Sequence, residues 1–254
     1  MAENVLIVAK DRILTIQMNR PEKKNALTRA MYIAMSGAIR QAEQDAAVRV
    51  ILLTGGDDCF TAGNDIADFA AATPGEAPVA IEYLRNLAAA KKPVIAAVAG
   101  FAIGIGTTML LHCDLVYAAE TARFQLPFVN LGLCPEAGSS LILPMMMGHH
   151  CAAELLLLGE PFGAETAREL GLVNQVIGPH ELVSAATERA HQLAEKPPAS
   201  LRTAKMLLKS GTREAITAAL DRETEQFAAL LHGPEAKEAM SAFLQRRKPD
   251  FSSF

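Results

Sequence analysis

The sequence is poor in aromatic residues and cysteine, and neither sign of charge dominates. It has 254 residues and no tryptophan, and aromatic residues make up 5% of it. Its four cysteines form no CxxC pair and no dense framework, so we expect free thiols in a reducing compartment rather than disulfides. Because 24 Lys and Arg stand against 28 Asp and Glu, the charge gives no reason to expect nucleic acid or an anionic membrane as a partner.

A basic stretch followed by a long apolar run, typical of a secretory signal, is also missing from the first ten residues. Residues 93–112 carry no formal charge, and their number would be enough to span a bilayer. Pro93 opens this run, residues 94–98 form a strand-length apolar segment, and three glycines follow. These features favour a buried strand, a glycine turn and a buried helix over a membrane span. We therefore expect a soluble, cytoplasmic protein, with the membrane segment as the less favoured alternative.

Strand-like and helical patterns alternate along the chain and predict the α/β fold class with largely parallel strands. Half of the residues are hydrophobic, which is enough material for a large core. Alternating apolar residues predict a hairpin over residues 5–18, and Thr28 is predicted to cap a helix. Further strand-like runs lie at residues 48–54, 94–98, 115–118 and 173–177.

The strand signals stop after residue 180, and four helical stretches follow. We place a boundary near residue 195, which divides the chain into a core of residues 1–195 and a helical region of residues 196–254. A region of about sixty residues buries too little apolar surface to fold comfortably alone. We expect it to pack on the core, on another subunit or on both.

Two glycine-containing loops, residues 54–69 and 99–114, each follow a predicted buried strand and lead into a helix. Such turns leave backbone N–H groups without partners at the positive end of the helix dipole. Two of them facing each other would offer converging donors to a developing negative charge. On spacing alone, ordinary tight turns remain the alternative. A phosphate-binding loop is weakly supported, because Met109 takes the place of the last glycine of GxGxxG.

Five stretches, in order along the chain, resemble the crotonase superfamily, which contains the enoyl-CoA hydratases and isomerases. They are residues 19–27 (NRPEKKNAL), 60–66 (FTAGNDI), 100–106 (GFAIGIG), 113–115 (CDL) and 246–249 (RRKP). The resemblance implies a crotonase-type spiral of ββα units with a helical C-terminal trimerisation region. It also implies a homotrimer or a dimer of trimers that acts on an acyl-CoA thioester. Coenzyme A is then part of the substrate, and neither a separate cofactor nor a metal nor nucleic acid is implied.

The resemblance assigns an oxyanion hole to the backbone N–H groups of Asn64 and Ile105, which agrees with the two helix-entry turns. Removing one such donor costs about 2.7–4 kcal/mol of transition-state stabilisation. Because the backbone supplies the bond, we interpret the Asn64 side chain as a choice of shape and packing. The resemblance further implies that the coenzyme lies across two stretches, which contribute the residues Lys24, Asn25, Ala26, Ala62, Gly63, Asp65 and Ile66. Residues 246–248 either contact coenzyme phosphates or form a solvated helix end.

Two positions depart from the hydratase pattern. The resemblance aligns Thr108 and Phe128 with the two glutamates by which hydratases position and activate water. A threonine hydroxyl is no base near neutral pH, and phenylalanine carries no proton to transfer. The two-carboxylate addition of water is therefore not expected, and Phe128 is instead predicted to lie beside the substrate.

One carboxylate remains in this region, Glu136, at the entry of a predicted helix. Its Pro-Glu-x-x-Ser-Ser context resembles the peroxisomal-type Δ3,Δ2-enoyl-CoA isomerases, which implies that Glu136 removes a proton from C2 and returns it at C4. Burial among Phe128, Leu133 and Met145 would raise the pKa of Glu136, whereas the helix N-terminus would lower it. The sequence leaves that balance open, and a solvated glutamate in a first helical turn is the alternative.

The expected reaction is therefore the shift of a double bond from the 3 to the 2 position of an enoyl-CoA. The alternatives are an enoyl-CoA hydratase with another water arrangement and a catalytically silent acyl-CoA-binding protein. Other candidate groups are weaker. His149 and His150 are adjacent, so both cannot face one metal site on a helix, and Cys113 in an apolar run is expected to be an inert buried thiol.

Overall fold

The computed structural model describes residues 3–70 and 79–254, without the side chains of residues 69 and 70. Nine strands lie in this part of the chain. Their bounds are β1 Val5–Lys10, β2 Ile13–Met18, β3 Val50–Thr54, β4 Val94–Val98, β5 Phe101–Ile103, β6 Leu115–Ala119, β7 Arg123–Gln125, β8 Phe162–Gly163 and β9 Gln175–Ile177.

The helices are α1 Arg29–Gln44, α2 Ile66–Ala70, α3 Val79–Ala89, α4 Ile105–Thr108, α5 Ser139–Met147, α6 His149–Ala153, α7 Ala164–Glu169, α8 Leu182–Ala194, α9 Pro198–Ser210, α10 Arg213–Leu231 and α11 Pro234–Leu244. The Thr28 hydroxyl accepts a hydrogen bond from the Met31 N–H, which confirms the predicted cap of α1. α6 is followed directly by a π-helical turn at Glu154–Leu158.

Six strands form the main sheet in the order β1-β2-β3-β4-β6-β9. β1 and β2 pair antiparallel as the predicted hairpin, and every other pair in this sheet is parallel. β3 and β4 are buried along their whole length, since helices cover both faces of a parallel sheet. The α/β fold class is confirmed.

The uncharged run at residues 93–112 folds as β4, β5, α4 and a short 3₁₀ segment, which confirms the buried strand, turn and helix. No helix within residues 3–70 and 79–254 is both long and apolar enough to cross a membrane. The membrane alternative for this run is therefore wrong.

A second, three-stranded sheet was not predicted. β5 pairs parallel with β7, and β7 pairs antiparallel with β8. These strands have two or three residues each, which is too short for a period-2 pattern to stand out. The predicted strand at residues 173–177 is also shorter than expected, because β9 covers Gln175–Ile177 alone.

The C-terminal helices pack on the preceding chain: α10 contacts α5, and α11 contacts the 3₁₀ turn at Val129–Leu131. Several large apolar side chains of this region are nevertheless exposed, among them Leu207, Leu208, Phe243 and Leu244. Such apolar exposure is typical of a surface that another protein chain covers. The domain division at residue 195 and the trimeric assembly stay predictions.

Candidate active site

Two glycine turns run side by side, one in the segment between β3 and α2 and the other between β5 and α4. Gly63 and Gly104 both have positive φ, +89° and +56°. Thr61 and Ala102 form a parallel bridge, and a Cβ on Gly63 would lie 2.8 Å from the Ile103 carbonyl oxygen. Because the two segments approach this closely, the residues that follow the turns, Asn64 and Ile105, are neighbours in space.

The backbone N–H groups of Asn64 and Ile105 have no hydrogen-bond acceptor within the part of the chain that the structure describes. Three of the N–H groups beside them are used. Gly63 donates to Thr61 Oγ1 at 3.0 Å, Asp65 donates to the Leu27 carbonyl at 2.9 Å, and Gly104 donates to the Gln125 carbonyl at 2.9 Å. The structure therefore leaves free the two donors that the resemblance assigns to an oxyanion hole.

The Asn64 side chain does more than fill space. Its Oδ1 accepts a hydrogen bond from the Tyr32 hydroxyl at 2.5 Å, which ties the turn to α1. Tyr32 is 3% exposed, and burial, followed by the nearby Glu136 carboxylate, raises its pKa well above the usual range. Tyr32 was not predicted as a site residue, although a hydroxyl on the apolar face of α1 needs a buried hydrogen-bond partner.

The two stretches predicted to hold the coenzyme lie against each other. The Ala62 N–H donates to the Lys24 carbonyl at 2.9 Å, and Arg20 donates to the Ala26 carbonyl at 3.0 Å. Asn25 is 2% exposed, and its amide donates to the carbonyls of Gly55 at 3.0 Å and Cys59 at 2.6 Å. The Asn25 side chain thus holds the loop together, and coenzyme contact by this loop stays a prediction.

Asp65 forms a salt bridge of 2.7 Å with Arg20 and accepts N–H groups of Ala67 and Asp68 at 3.1 Å each. The Arg20 hydrogen bond is the main reason why the pKa of Asp65 is lowered. Asp65 therefore caps α2, which begins at Ile66. Nothing in this geometry gives the Asp65 carboxylate a free role in proton transfer.

The basic residues predicted as possible phosphate contacts differ in their surroundings. Arg247 pairs with Glu238 through two nitrogens, with Nη2 to Oε2 at 2.9 Å, whereas Arg246 and Lys248 are exposed. The ammonium group of Lys24 lies 4.8 Å from the centre of the Phe101 ring. The geometry fits a solvated helix end for Arg247, and phosphate contact stays a prediction.

Glu136 lies on the turn that leads into α5 and is 6% exposed. Its Oε1 accepts a hydrogen bond from the hydroxyl of Thr108, which is fully buried. Burial raises the pKa of Glu136 to about 7, the Thr108 hydrogen bond opposes this shift, and the charge of Glu223 adds to it. The alternative of a solvated first-turn glutamate is therefore wrong.

The apolar surroundings predicted for Glu136 are partly corrected. Phe128 and Leu133 are buried in one cluster with Leu143, whereas Met145 is 58% exposed. The sequence of α5 does not distinguish buried from exposed positions, because the helix carries its own apolar residues on more than one face.

Glu223 of α10 occupies the N-terminal end of α5. Its Oε2 accepts the Gly138 N–H at 2.5 Å, and its Oε1 accepts the N–H and the hydroxyl of Ser140 at 2.9 and 2.5 Å. Glu223 thus binds the N–H groups of Gly138 and Ser140, whereas the N–H of Ser139 donates to the backbone carbonyl of Glu136 at 3.1 Å. Burial is the largest cause of the raised pKa of Glu136.

His112, which the sequence did not single out, is buried, and its Nε2–H donates to the Ala137 carbonyl at 2.9 Å. Burial, helped by Lys209, lowers the pKa of His112 to about 4, so the ring is neutral near pH 7. Burial raises the pKa of the Cys113 thiol to about 12, as expected for an inert cysteine. Within residues 3–70 and 79–254, no three His, Cys, Asp or Glu side chains are grouped to hold a metal ion.

The sequence model of the enoyl-CoA hydratase/isomerase family matches residues 9–253. The chain therefore belongs to the crotonase superfamily and, within it, to the enoyl-CoA hydratase/isomerase family. Its resemblance to this superfamily, inferred from five short stretches, is confirmed.

Relatives within the family differ in reaction. The chain is 34% identical to the 1,2-epoxyphenylacetyl-CoA isomerase of Escherichia coli K12, with 99% of each chain covered. It is also 34% identical to the 2,3-dehydroadipyl-CoA hydratase of the same bacterium, over 97% of this chain and 98% of that one. Enoyl-CoA delta isomerase 2 of Rattus norvegicus is again 34% identical, over 97% of this chain and 64% of that protein.

Among solved structures, an enoyl-CoA hydratase/isomerase from Pseudoalteromonas atlantica T6c superposes with a TM-score of 0.93. It is 39% identical to this chain, and the match covers 98% of this chain and all of that one. The crotonase-type fold is thereby confirmed.

Proposed function

We propose that this enzyme shifts a double bond from the 3 to the 2 position of an enoyl-CoA thioester. The observation that carries the proposal is the buried carboxylate of Glu136, which accepts a hydrogen bond from Thr108 and whose pKa is raised to about 7. A general base works best when its pKa lies near the operating pH. At neutral pH Glu136 can both remove a proton and return it.

In the proposed reaction the thioester oxygen accepts hydrogen bonds from the N–H groups of Asn64 and Ile105. Glu136 takes a proton from C2, and the electrons of the broken C–H bond delocalise into a dienolate whose negative charge lies mainly on the thioester oxygen. The two backbone donors stabilise this charge without moving. Glu136 then returns the proton at C4, the double bond forms between C2 and C3, and neither water nor a cofactor is consumed.

Hydration is the second candidate, because the hydratase of Escherichia coli is as similar as the isomerases. A hydratase of the two-glutamate kind needs a second carboxylate free to hold water. Glu223 is the carboxylate whose charge acts on Glu136, and hydrogen bonds to Gly138 and Ser140 occupy both of its oxygens. The site therefore favours isomerisation.

Product analysis with two substrates tests the proposal. Wild-type enzyme is given 3-enoyl-CoA in one reaction and 2-enoyl-CoA in another, and the thioesters are separated by liquid chromatography. The proposal expects 2-enoyl-CoA to form from the first substrate much faster than 3-hydroxyacyl-CoA forms from the second. Faster hydration than isomerisation would support the hydratase. Tight binding of both thioesters without turnover would support an acyl-CoA-binding protein.

A further inference from the structure

The turn that carries Glu136 has an uncommon backbone. Ala137 and Gly138 follow Glu136 with φ of +62° and +73°. A residue with a Cβ in the left-handed region costs roughly 1–2 kcal/mol, so Ala137 stays there because its surroundings hold it. His112 binds the carbonyl of Ala137 at 2.9 Å, and the N–H of Gly138 is bound from the other side by Glu223.

Glu223 reaches this turn from a distant part of the chain. It lies on α10, 85 residues after Gly138, and is 7% exposed. A Cβ on Gly138 would meet the side chain of Ile216 on the same helix at 3.5 Å, so α10 packs directly on the turn. The two N–H groups and the hydroxyl that Glu223 binds form a concave anion site of the kind made by successive left-handed or turn residues.

We propose that Glu223 is a positioning residue: its carboxylate fixes the turn that carries Glu136 and occupies the N–H groups that would otherwise stabilise Glu136 as an anion. The direction of the Glu136 pKa agrees with this role, because the charge of Glu223 contributes to the upward shift. The C-terminal helical region therefore contributes to the reaction without touching the substrate.

Three other titratable groups that the structure describes near Glu136 stay neutral near pH 7. Burial raises the pKa of Tyr32 on α1 and of Cys134 on the preceding loop, and burial lowers the pKa of His112 to about 4. A change in the titration of Glu136 between pH 5 and 9 upon substitution of Glu223 is therefore attributable to Glu223.

The test follows Glu136 by ¹³C NMR of its carboxyl group across pH 5–9, with the signal assigned by its loss in Glu136→Gln. Glu223→Gln keeps the shape but removes the charge, and we expect the Glu136 midpoint to fall from about 7 by about one pH unit. The exposed Glu225 lies on the same helix, and Glu225→Gln serves as the matched control with an unchanged midpoint. An unchanged midpoint in Glu223→Gln would overturn the proposal.

The positioning role of Glu223 is tested separately, by the kinetic constants of isomerisation. At pH 9, where Glu136 is ionised in every variant, Glu223→Gln should lower kcat for isomerisation about tenfold or more and leave KM within about twofold, since no substrate contact is lost. A kcat equal to that of Glu225→Gln would overturn it. This rate rests on the proposed function, whereas the NMR midpoint does not. An enzyme that does not isomerise but shows the midpoint shift would refute the function alone.

Ser140→Ala tests the proposed role of Glu223 if Glu223→Gln does not fold. This variant removes the hydroxyl that donates to Glu223 at 2.5 Å but keeps the charge. Because the negative charge of Glu223 then has one donor fewer to offset it, the titration midpoint of Glu136 should rise. This is the opposite of the change expected for Glu223→Gln. A midpoint that stays unchanged or falls in Ser140→Ala would contradict the proposal.

Discussion

The hydroxyl of Thr108 donates a hydrogen bond to Oε1 of Glu136, 28 residues further along the chain. Thr108 is the last residue of α4, and Ile105 is the first. A single helical turn therefore carries one proposed oxyanion donor at its start and the partner of the proposed base at its end. This shared turn fixes Glu136 relative to the position of the thioester oxygen.

The pH dependence of isomerisation should report the ionisation of Glu136. The base must be a carboxylate, and its pKa is raised to about 7. We expect kcat/KM to rise tenfold per pH unit below about pH 7 and to level off above it. The measurement is an initial-rate profile at low 3-enoyl-CoA concentration from pH 5 to 9. A profile that is flat down to pH 5 would show that another group acts as base.

Replacing Thr108 with valine should shift the pH profile of kcat/KM toward higher pH. The Thr108 hydrogen bond lowers the pKa of Glu136, so its loss in Thr108→Val raises the pKa and leaves less carboxylate at pH 7. The expected fall in kcat/KM at pH 7 is about tenfold, with recovery at higher pH. Thr108→Ser retains the hydroxyl and is the control. Equal profiles for both variants would mean that the hydrogen bond is unimportant in solution.

Glu136 should also reduce the stability of the fold near neutral pH. Because its pKa rises from 4.5 to about 7 on folding, the native state binds more protons than the unfolded state between these values. Stability therefore falls as pH rises through this window. At pH 8 the free energy of unfolding of Glu136→Gln should be about 3 kcal/mol higher than that of the wild type. Near pH 4 the two proteins should have the same free energy of unfolding. Denaturant titrations at pH 4 and pH 8 measure these free energies. A difference between variant and wild type that is the same at both pH values would contradict the prediction.

The oxyanion turn should tolerate loss of the Asn64 side chain better than loss of its backbone shape. Asn64→Ala leaves the Tyr32 hydroxyl without its acceptor, which should cost about 1–3 kcal/mol of stability while activity stays within about tenfold of wild type. The double variant with Tyr32→Phe should regain most of that stability. Thermal unfolding and steady-state rates measure both effects.

Gly63→Pro should abolish activity, because proline fixes φ near −65° and Gly63 requires +89°. If Asn64→Ala were as inactive as Gly63→Pro, the Asn64 side chain itself would act on the substrate. Rates for the two variants at saturating 3-enoyl-CoA distinguish these cases.

The features of the fold that depend on local patterns could be predicted from the sequence alone. Alternating strands and helices predict the main sheet, and the capping of α1 by Thr28 follows from residue type. The small sheet of β5, β7 and β8 escapes prediction because its strands have two or three residues each. Their pairing depends on the turns that bring them together.

The contacts around Glu136 could not be predicted for a different reason. Glu223 is 87 positions from Glu136 in sequence, and nothing near residue 223 indicates that it binds the start of α5. The carboxylate that binds the N–H groups of Gly138 and Ser140 is determined by how α10 packs on this turn. This is a matter of tertiary packing, which a residue pattern does not contain.

The most direct test of the central claim is the isomerisation rate of Glu136→Gln with saturating 3-enoyl-CoA. Glutamine keeps the size and hydrogen-bonding reach of glutamate but cannot take the C2 proton, so kcat should fall by about a hundredfold or more while thioester binding, measured by calorimetry, stays close to wild type. A variant that still isomerises at the wild-type rate would contradict the account.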